Sequence, residues 1–374
     1  MDLIEDISQE IDKCIECNSC MEEEICPSYT VRKEHVYSPL GRLHSLNLLI
    51  KDEGDEKEIE KSLLTCNGCG RCTEVCPVDI RIGETVTKGR NILYKKGILP
   101  KESHKRIIDS ILYKDNAVGR EEKQKIIYKD PFYDELFDKE SDTLLFLGCI
   151  SSFFHADAVK ASIKMLDYLG VSFRLLKEEG CCGIFLYDGG YFDKAGDIFR
   201  KNRDRFVRLG IKKLIVLCPS CYKCFKTYYP EILGGFDFEV THFIEVIAGE
   251  LKKGKRISGN GREFILHEPC KMTRFMGILN EPREVLNASE IKFAEFEQHK
   301  NMSFCCGAGN GVRAYDMELS LEIARFVLDK AMEKDVITMC PFCSMNLGHA
   351  SRKYNKEIKV SYISEVIFPI RKGG

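Results

Sequence analysis

The 374-residue sequence lacks a hydrophobic run long enough to cross a membrane. A spanning helix needs roughly 18 or more consecutive apolar residues, and the longest apolar stretch, TLLFLGCI before Ser151, has the length of a buried strand. The first residues, MDLIEDISQEIDK, are acidic and amphipathic, whereas a secretory signal begins basic and continues apolar. We therefore expect a cytoplasmic protein without a membrane span of its own.

An excess of charge of either sign is also missing. Lys and Arg total 56 against 58 Asp and Glu, and the basic residues form no dense stripe along the chain. Binding to nucleic acid requires a concentration of positive charge, so we expect no nucleic-acid partner. No Gly-x-Gly-x-x-Gly loop follows a strand-like segment, which argues against a nicotinamide or flavin site. Electrons used by this chain are therefore expected to come from, or go to, another polypeptide.

Cysteine, in contrast, is abundant, with 19 residues. A reducing cytoplasm disfavours disulfides, so metal ligation is the leading interpretation. The run CNGCGRCTEVCP has the spacing C-x2-C-x2-C-x3-C-P of bacterial ferredoxins, whose fourth cysteine most often binds the neighbouring cluster. The earlier run CIECNSCMEEEICP is similar, with five residues instead of three before its last cysteine.

These two runs predict a helical domain with two cubane [4Fe-4S] clusters, and zinc sites or disulfides are the alternatives. Because the fourth cysteine of each run crosses over, the predicted ligand sets are Cys14, Cys17, Cys20 and Cys76 for one cluster and Cys66, Cys69, Cys72 and Cys26 for the other. Between the runs, Leu43, Leu46, Leu49 and Ile50 have the spacing of one buried helix face.

A second pattern occurs twice in the remainder of the chain. Strand-like segments end on Cys149 and Cys218 in the first copy and on Cys270 and Cys340 in the second, with a vicinal cysteine pair between them in each copy. Such a pair is poorly placed to form a disulfide. The remaining members of the two five-cysteine sets are Cys181, Cys182 and Cys221, and Cys305, Cys306 and Cys343.

The repeat predicts two domains built on one plan. Helical patterns alternate with the strand-like segments, which favours parallel sheets whose carboxyl ends carry the cysteines. We therefore predict an α+β multidomain protein, with an α-helical ferredoxin domain over residues 1–100, a connector over 101–141, and two α/β domains over 142–258 and 259–374.

The two five-cysteine sets resemble the cysteine-rich CCG domains of heterodisulfide reductase catalytic subunits that carry a ferredoxin-like N-terminus. The resemblance covers nearly the whole chain and includes HEPCKMTR around Cys270 and SPLGR after the first cysteine run. It implies that each five-cysteine set holds a non-cubane [4Fe-4S] cluster, and that the protein is an oxidoreductase of anaerobic methanogenesis. The implied substrate is the mixed disulfide of coenzyme M and coenzyme B.

The same resemblance gives the ten cysteines of these sets as candidate catalytic residues. His267, three residues before Cys270, is a further candidate, which either donates a proton or has a structural role. Lys271 and Arg274 either receive an anionic group or are solvated surface residues. The implied partner is a flavoprotein or a membrane cytochrome, through which the chain would be held at the membrane.

Iron–sulfur subunits of glycolate and lactate oxidases, and of thiol:fumarate reductase, have a similar layout. In that alternative the chain only transfers electrons to or from a flavoprotein. The ligand sets use 18 of the 19 cysteines, so Cys224 is expected to be a spare residue.

Overall fold

The computed structural model describes residues 3–137 and 139–369. The N-terminal part is helical. Its helices are α1 (Leu3–Asp12), α2 (Pro27–Arg32), α3 (Pro39–Lys51), α4 (Glu56–Leu64), α5 (Arg71–Glu74) and α6 (Ile82–Lys95). The predicted helix between the two cysteine runs is α3, which buries Leu43, Leu46 and Leu49.

The start of α3 explains the SPLGR motif. The hydroxyl of Ser38 caps the helix by accepting a hydrogen bond from the Gly41 backbone N–H at 2.9 Å, and Pro39 occupies the first turn, where its missing N–H costs nothing. A Cβ atom on Gly41 would lie 1.9 Å from the carbonyl oxygen of His35. These local constraints fix the direction of the side chain that follows, Arg42.

The predicted connector contains two helices, α7 (Glu102–Lys114) and α8 (Asp134–Phe137). It is packed onto the rest of the chain through buried polar side chains. The Nε2 atom of His104 lies 3.2 Å from the carbonyl oxygen of Gly311, and Lys125 donates a hydrogen bond to the Glu179 carbonyl at 2.7 Å. The segment therefore contacts both of the repeats that follow it.

The first repeat alternates strands and helices. Its strands form a parallel three-stranded sheet in the order β1-β2-β3. The elements are β1 (Thr143–Phe146), α9 (Cys149–Phe154), α10 (Ala156–Leu169), α11 (Ile184–Asp188), α12 (Phe192–Arg208), β2 (Lys213–Val216), α13 (Pro219–Lys223), α14 (Tyr229–Leu233), β3 (Glu239–His242) and α15 (Phe243–Lys252).

The second repeat follows the same plan, and β4 (Ile257–Gly259) precedes it. Its parallel sheet has the order β6-β5-β7-β8. The elements are β5 (Glu263–His267), α16 (Cys270–Thr273), α17 (Glu281–Ala288), β6 (Lys292–Glu295), α18 (Val312–Tyr315), α19 (Met317–Asp329), β7 (Val336–Thr338), α20 (Pro341–Lys353), β8 (Val360–Tyr362) and β9 (Ile367–Pro369). In the first repeat, the counterpart of β6 is a single bridge between Leu144 and Arg174.

Long-range contacts join the three parts. β9 pairs antiparallel with β4, and the hydroxyl of Tyr362 donates a hydrogen bond to the Leu217 carbonyl at 2.9 Å. The fully buried Arg90 donates to the carbonyls of Cys66, Asp188 and Asn310, one from each part of the chain, at 3.0, 2.8 and 2.7 Å. The predicted α+β multidomain architecture is confirmed.

None of the helices in the part of the chain that the structure describes has the length and apolar character needed to cross a membrane.

Candidate functional site

Each strand that the sequence predicts to end on a cysteine ends two or three residues before it. Cys149 begins α9 after β1, and Cys218 precedes α13 after β2. The same holds in the second repeat for Cys270, at the start of α16, and Cys340, which precedes α20. Because the strands within each sheet are parallel, their carboxyl ends meet at one edge, and that edge is where open α/β sheets bind ligands.

The five thiols of the first repeat form one connected row. The thiol of Cys149 lies beside that of Cys181, Cys181 beside Cys182, and Cys182 beside Cys221, which lies beside Cys218. The interaction with Cys181, followed by burial, raises the pKa of the Cys149 thiol well above its usual range. We call these residues the first five-cysteine set.

The second repeat has the same row. The thiol of Cys270 lies beside that of Cys305, Cys305 beside Cys306, and Cys306 beside Cys343. Cys343 in turn contacts Cys340. We call these residues the second five-cysteine set, and its order of contacts matches that of the first set position by position.

The glycine after each vicinal pair makes the row possible. Gly183 and Gly307 both have a φ of 84°, a left-handed conformation that glycine adopts without strain. Each N–H group points back to the first thiol of its pair, at 3.4 Å from Cys181 and Cys305. Two adjacent thiols are thereby held on one tight turn.

The two sets touch each other, and the second touches the ferredoxin-type segment. The thiol of Cys218 in the first set lies beside that of Cys340 in the second. The thiol of Cys69, from the second ferredoxin-type run, lies beside that of Cys305. Thiol contacts therefore run without a gap from the N-terminal part through the second set to the first.

The eight N-terminal cysteines fall into two groups. Burial raises the pKa of Cys20 to about 12, and the nearby thiols of Cys14, Cys76 and Cys17 add to this effect. These four form the outer thiol set, in which Cys17 is exposed to solvent.

The other four form the inner thiol set. Burial raises the pKa of Cys72 well above its usual range, with further contributions from the charges of Cys69, Cys26 and Cys66. The last cysteine of each run thus lies beside the first three cysteines of the other run.

The donor chemistry of these groups fits iron–sulfur clusters. All 19 cysteines are free thiols, and thiolates are the ligands of [4Fe-4S] clusters. Among residues 3–137 and 139–369, no three His, Cys, Asp or Glu side chains are arranged to bind a single metal ion. A cluster of several irons takes its thiolates at separate irons, so its ligands need not converge on a single point.

A cavity of about 400 Å³ adjoins the first five-cysteine set, and its lining includes all five thiols of that set. Its remaining wall is mostly apolar, and the second repeat contributes Ala314, Phe342 and Met345. Lys271 and Asp188 provide charge, with 3.5 Å between the ammonium nitrogen and a carboxylate oxygen. The charges of Asp188 and Cys270 raise the pKa of Lys271 and outweigh the opposite effect of burial.

His267 does not face this cavity. Its Nε2 atom lies 3.2 Å from the Phe304 carbonyl oxygen and its Nδ1 atom 3.3 Å from the Thr338 hydroxyl, and burial lowers its pKa. A neutral ring that donates through Nε2 and accepts through Nδ1 satisfies both contacts. This geometry favours the structural interpretation over proton donation.

Arg274 likewise points into the protein. Its guanidinium donates to the carbonyls of Cys69 at 2.6 Å, Asn301 at 2.5 Å and Ser303 at 3.0 Å. It therefore ties the ferredoxin-type loop to the second repeat and is not a free surface cation.

Cys224 has a role that the sequence did not indicate. It is fully buried, and its thiol donates to the carbonyl of Cys182 at 3.2 Å. Asn346, which occupies the matching position of the second repeat, donates to the carbonyl of Cys306 at 2.7 Å. A cysteine in one repeat and an asparagine in the other thus donate a hydrogen bond to the carbonyl of the equivalent residue, the second cysteine of the vicinal pair. Alignment of the two CPxC segments in the sequence pairs Cys224 with Asn346, but only the structure shows the hydrogen bond that both residues make.

Comparisons with known proteins agree with the fold. Residues 10–80 match a 4Fe-4S dicluster domain, and residues 143–226 and 264–348 match a cysteine-rich domain. The chain is 28% identical to one of the subunits of the dihydromethanophenazine:CoB–CoM heterodisulfide reductase from Methanosarcina barkeri, over 96% of this chain and 93% of the relative. It is 30% identical to an uncharacterised iron–sulfur protein from Methanocaldococcus jannaschii, over 94% of this chain and 71% of the relative.

A third relative is one of the subunits of the CoM/CoB fumarate reductase from Methanothermobacter marburgensis, at 26% identity over 95% of this chain and 71% of the relative. These matches indicate [4Fe-4S] clusters and support electron transfer in an oxidoreductase. The chain belongs to the family of iron–sulfur oxidoreductase proteins in which a 4Fe-4S dicluster domain is followed by two cysteine-rich CCG domains.

Proposed function

We propose that this chain is the catalytic iron–sulfur subunit of a disulfide reductase whose substrate is a heterodisulfide of the coenzyme M–coenzyme B type. The reaction breaks one S–S bond and uses two electrons and two protons to release two thiols. The observation that carries the proposal is the mostly apolar wall, with residues from both repeats, of the cavity of about 400 Å³ beside the first five-cysteine set. The thiols of that set would hold a cluster on their side of the cavity, and a subunit that only relays electrons has no need of the apolar wall beyond them.

We further propose four clusters. The outer and inner thiol sets would each hold a cubane [4Fe-4S] cluster, and the two five-cysteine sets would each hold a non-cubane one. When bound, these groups supply one-electron transfer and affinity for sulfur. The matching contact orders of the two five-cysteine sets support an equivalent role for both repeats. We also propose that the ferredoxin domain, the connector and the first α/β domain end at residues 100, 141 and 258.

The walls of the cavity indicate what kind of substrate arm it accepts. Ile150, Phe342 and Met345 offer an apolar surface, so a flexible apolar arm would gain free energy by leaving water. The Lys271–Asp188 pair at the wall would orient a polar end group. A disulfide that carries one apolar arm and one charged group fits this lining.

The series of thiol contacts supports a route for electrons. Electrons would enter at the outer thiol set, where Cys17 is exposed to solvent, and pass to the inner set, whose Cys69 lies beside Cys305 of the second five-cysteine set. A partner protein, either a flavoprotein or a membrane cytochrome, would exchange electrons at the exposed end. The chain would then be cytoplasmic or held at the membrane by that partner.

The second candidate is an electron-transfer subunit of a flavoprotein hydroxyacid oxidase or of a thiol:fumarate reductase. The match to the CoM/CoB fumarate reductase favours it. In that case co-purification from the native cell would recover a hydroxyacid- or succinate-linked flavoprotein, and the isolated chain would not reduce a disulfide.

A matched pair of cavity variants tests the proposal. Ala314→Phe places a large ring in the cavity wall without removing a thiol, whereas Ala288→Phe places the same ring on an exposed helix end. Reduction of the coenzyme M–coenzyme B disulfide by an artificial one-electron donor is measured under anoxic conditions. We expect at least a tenfold loss for Ala314→Phe and wild-type activity for Ala288→Phe, with equal iron content. Equal activity of both variants would refute the role of the cavity.

A further inference from the structure

Arg42 brings a buried positive charge to the inner thiol set. Its side chain is 2% exposed, and its guanidinium donates to the thiol of Cys26 at 3.2 Å. A second guanidinium nitrogen donates to the Ser28 hydroxyl at 2.9 Å and to the Thr65 carbonyl at 3.0 Å. The group is therefore held on three sides in one orientation, with one donor directed at sulfur.

The charge of Arg42 is felt by more than one thiol of this set. A guanidinium stays protonated in proteins, and the hydrogen bond to Cys26 places this charge at the inner set, near Cys66 and Cys72 as well.

The outer thiol set has no equivalent. Within residues 3–137 and 139–369, no Arg or Lys side chain donates a hydrogen bond to Cys14, Cys17, Cys20 or Cys76. Cys17 is hydrogen-bonded to the neutral Ser19 hydroxyl at 3.5 Å, and Cys76 accepts a hydrogen bond from the Ile80 backbone N–H at 3.4 Å. The two sets therefore differ in charge environment although their cysteine spacing is similar.

Reduction of an iron–sulfur cluster adds one negative charge. A fixed positive charge in a buried site stabilises the reduced form, and hydrogen bonds to the ligating sulfurs act in the same direction. Both effects come from Arg42 at the inner set. We propose that Arg42 is a positioning residue that raises the reduction potential of the cluster held by the inner thiol set, so that an electron is retained beside the second five-cysteine set.

This inference rests on the proposed ligand set of the inner site but not on the identity of the substrate. If it holds, electron transfer from the outer set to the inner set is favoured over the reverse. An electron that enters at the exposed outer set would be stabilised at the inner set, where Cys69 contacts Cys305. From there it is one thiol contact away from the second repeat.

The test is an anoxic redox titration of the iron-loaded full chain, followed by electron paramagnetic resonance. Arg42→Gln and Arg42→Met both remove the charge, Arg42→Lys retains it, and Arg106→Gln removes an equal charge from an exposed helix. At a fixed potential near the wild-type midpoint, we expect the two neutral variants to shift the reduced-to-oxidised ratio of one cubane signal at least tenfold towards oxidised. For a one-electron couple this is about 59 mV.

Arg42→Lys and Arg106→Gln are the controls for the two neutral variants. Arg42→Lys should shift the ratio less than the neutral variants do, and Arg106→Gln should leave it unchanged, as should the second cubane signal in every variant. An unchanged ratio in a neutral variant with full iron content would overturn the proposal. If both neutral variants lose iron while Arg42→Lys keeps it, Arg42 holds the cluster in place instead of setting its potential, and the proposal is again overturned.

Iron content and the number of cubane signals in the wild type test the ligand set separately. A wild type with only one cubane signal would contradict the proposed inner and outer sets, whatever Arg42 does.

Discussion

Replacing Gly307 by alanine tests the geometry of the vicinal cysteine pairs. The new Cβ atom would lie 2.6 Å from the Ser320 carbonyl oxygen and 2.8 Å from Cβ of Ile323, both inside van der Waals contact. The residue would also keep a φ of 84°, which costs a non-glycine residue about 1–2 kcal/mol. Overpacking of a tight site adds about 1–3 kcal/mol. We therefore expect Gly307→Ala to lose roughly 2–5 kcal/mol of unfolding free energy.

Gly309→Ala is the matched control, because it lies two residues away in the same GAGNG segment. Its added Cβ would meet only the Asn67 carbonyl oxygen, at 3.5 Å, which is an ordinary contact. Both variants are compared with the wild type by chemical denaturation under anoxic conditions, with iron content measured alongside. A lower denaturant midpoint and a loss of iron are expected for Gly307→Ala alone. Similar behaviour of the two variants would show that the turn does not hold the pair as described.

Three further predictions concern other parts of the chain. Cys26→Ala should lose the same cubane signal as Cys66→Ala, and Cys76→Ala the same signal as Cys14→Ala; if Cys26→Ala instead matches Cys14→Ala, the crossed ligand sets are wrong. Cys224→Ser keeps a donor for the Cys182 carbonyl and should retain about 16 irons per chain, the content of four [4Fe-4S] clusters, whereas Cys182→Ser should lose one non-cubane cluster; comparable iron loss in both would make Cys224 a ligand. Burial lowers the pKa of His104 from 6.5 to about 4, so as the pH falls the unfolded chain binds a proton at this histidine before the folded chain does. The difference contributes roughly 3 kcal/mol to the free energy of unfolding above pH 6.5, and this stability is lost as the pH falls towards 4. His104→Gln should therefore flatten the decrease in stability between pH 6.5 and pH 4, and an unchanged pH profile would contradict the assignment.

The sequence predicted the fold well where a pattern repeats. The strand-like segments before Cys149, Cys218 and Cys340 are strands, and the helix over Leu43 to Ile50 is α3. Strong hydrophobic periods and a motif that occurs twice each provide a second, independent indication of the same element. The pairing of β4 with β9 was not predicted, because two strands of three residues each, more than 100 residues apart in the sequence, form it.

The candidate site was predictable in its ligands and less so in its supporting residues. Cysteine spacing identifies cluster ligands, because cysteines that bind one cluster from a short loop must lie a few residues apart in the sequence. Arg90 and Arg274 carry no such spacing, because they donate to carbonyls of residues that are remote in sequence. The contact of Arg42 with Cys26 likewise depends on how α3 packs. The cavity is formed by both repeats, so no single segment indicates it.

Reoxidation of the reduced protein by a heterodisulfide distinguishes a disulfide reductase from an electron-transfer subunit. The iron-loaded protein is reduced under anoxic conditions, freed of reductant, and mixed in a stopped-flow instrument with the coenzyme M–coenzyme B disulfide. We predict reoxidation of the protein, with one disulfide consumed and two free thiols released for every two electrons. Reduced protein that remains reduced in the presence of the disulfide, yet is reoxidised by a flavoprotein partner, would contradict it.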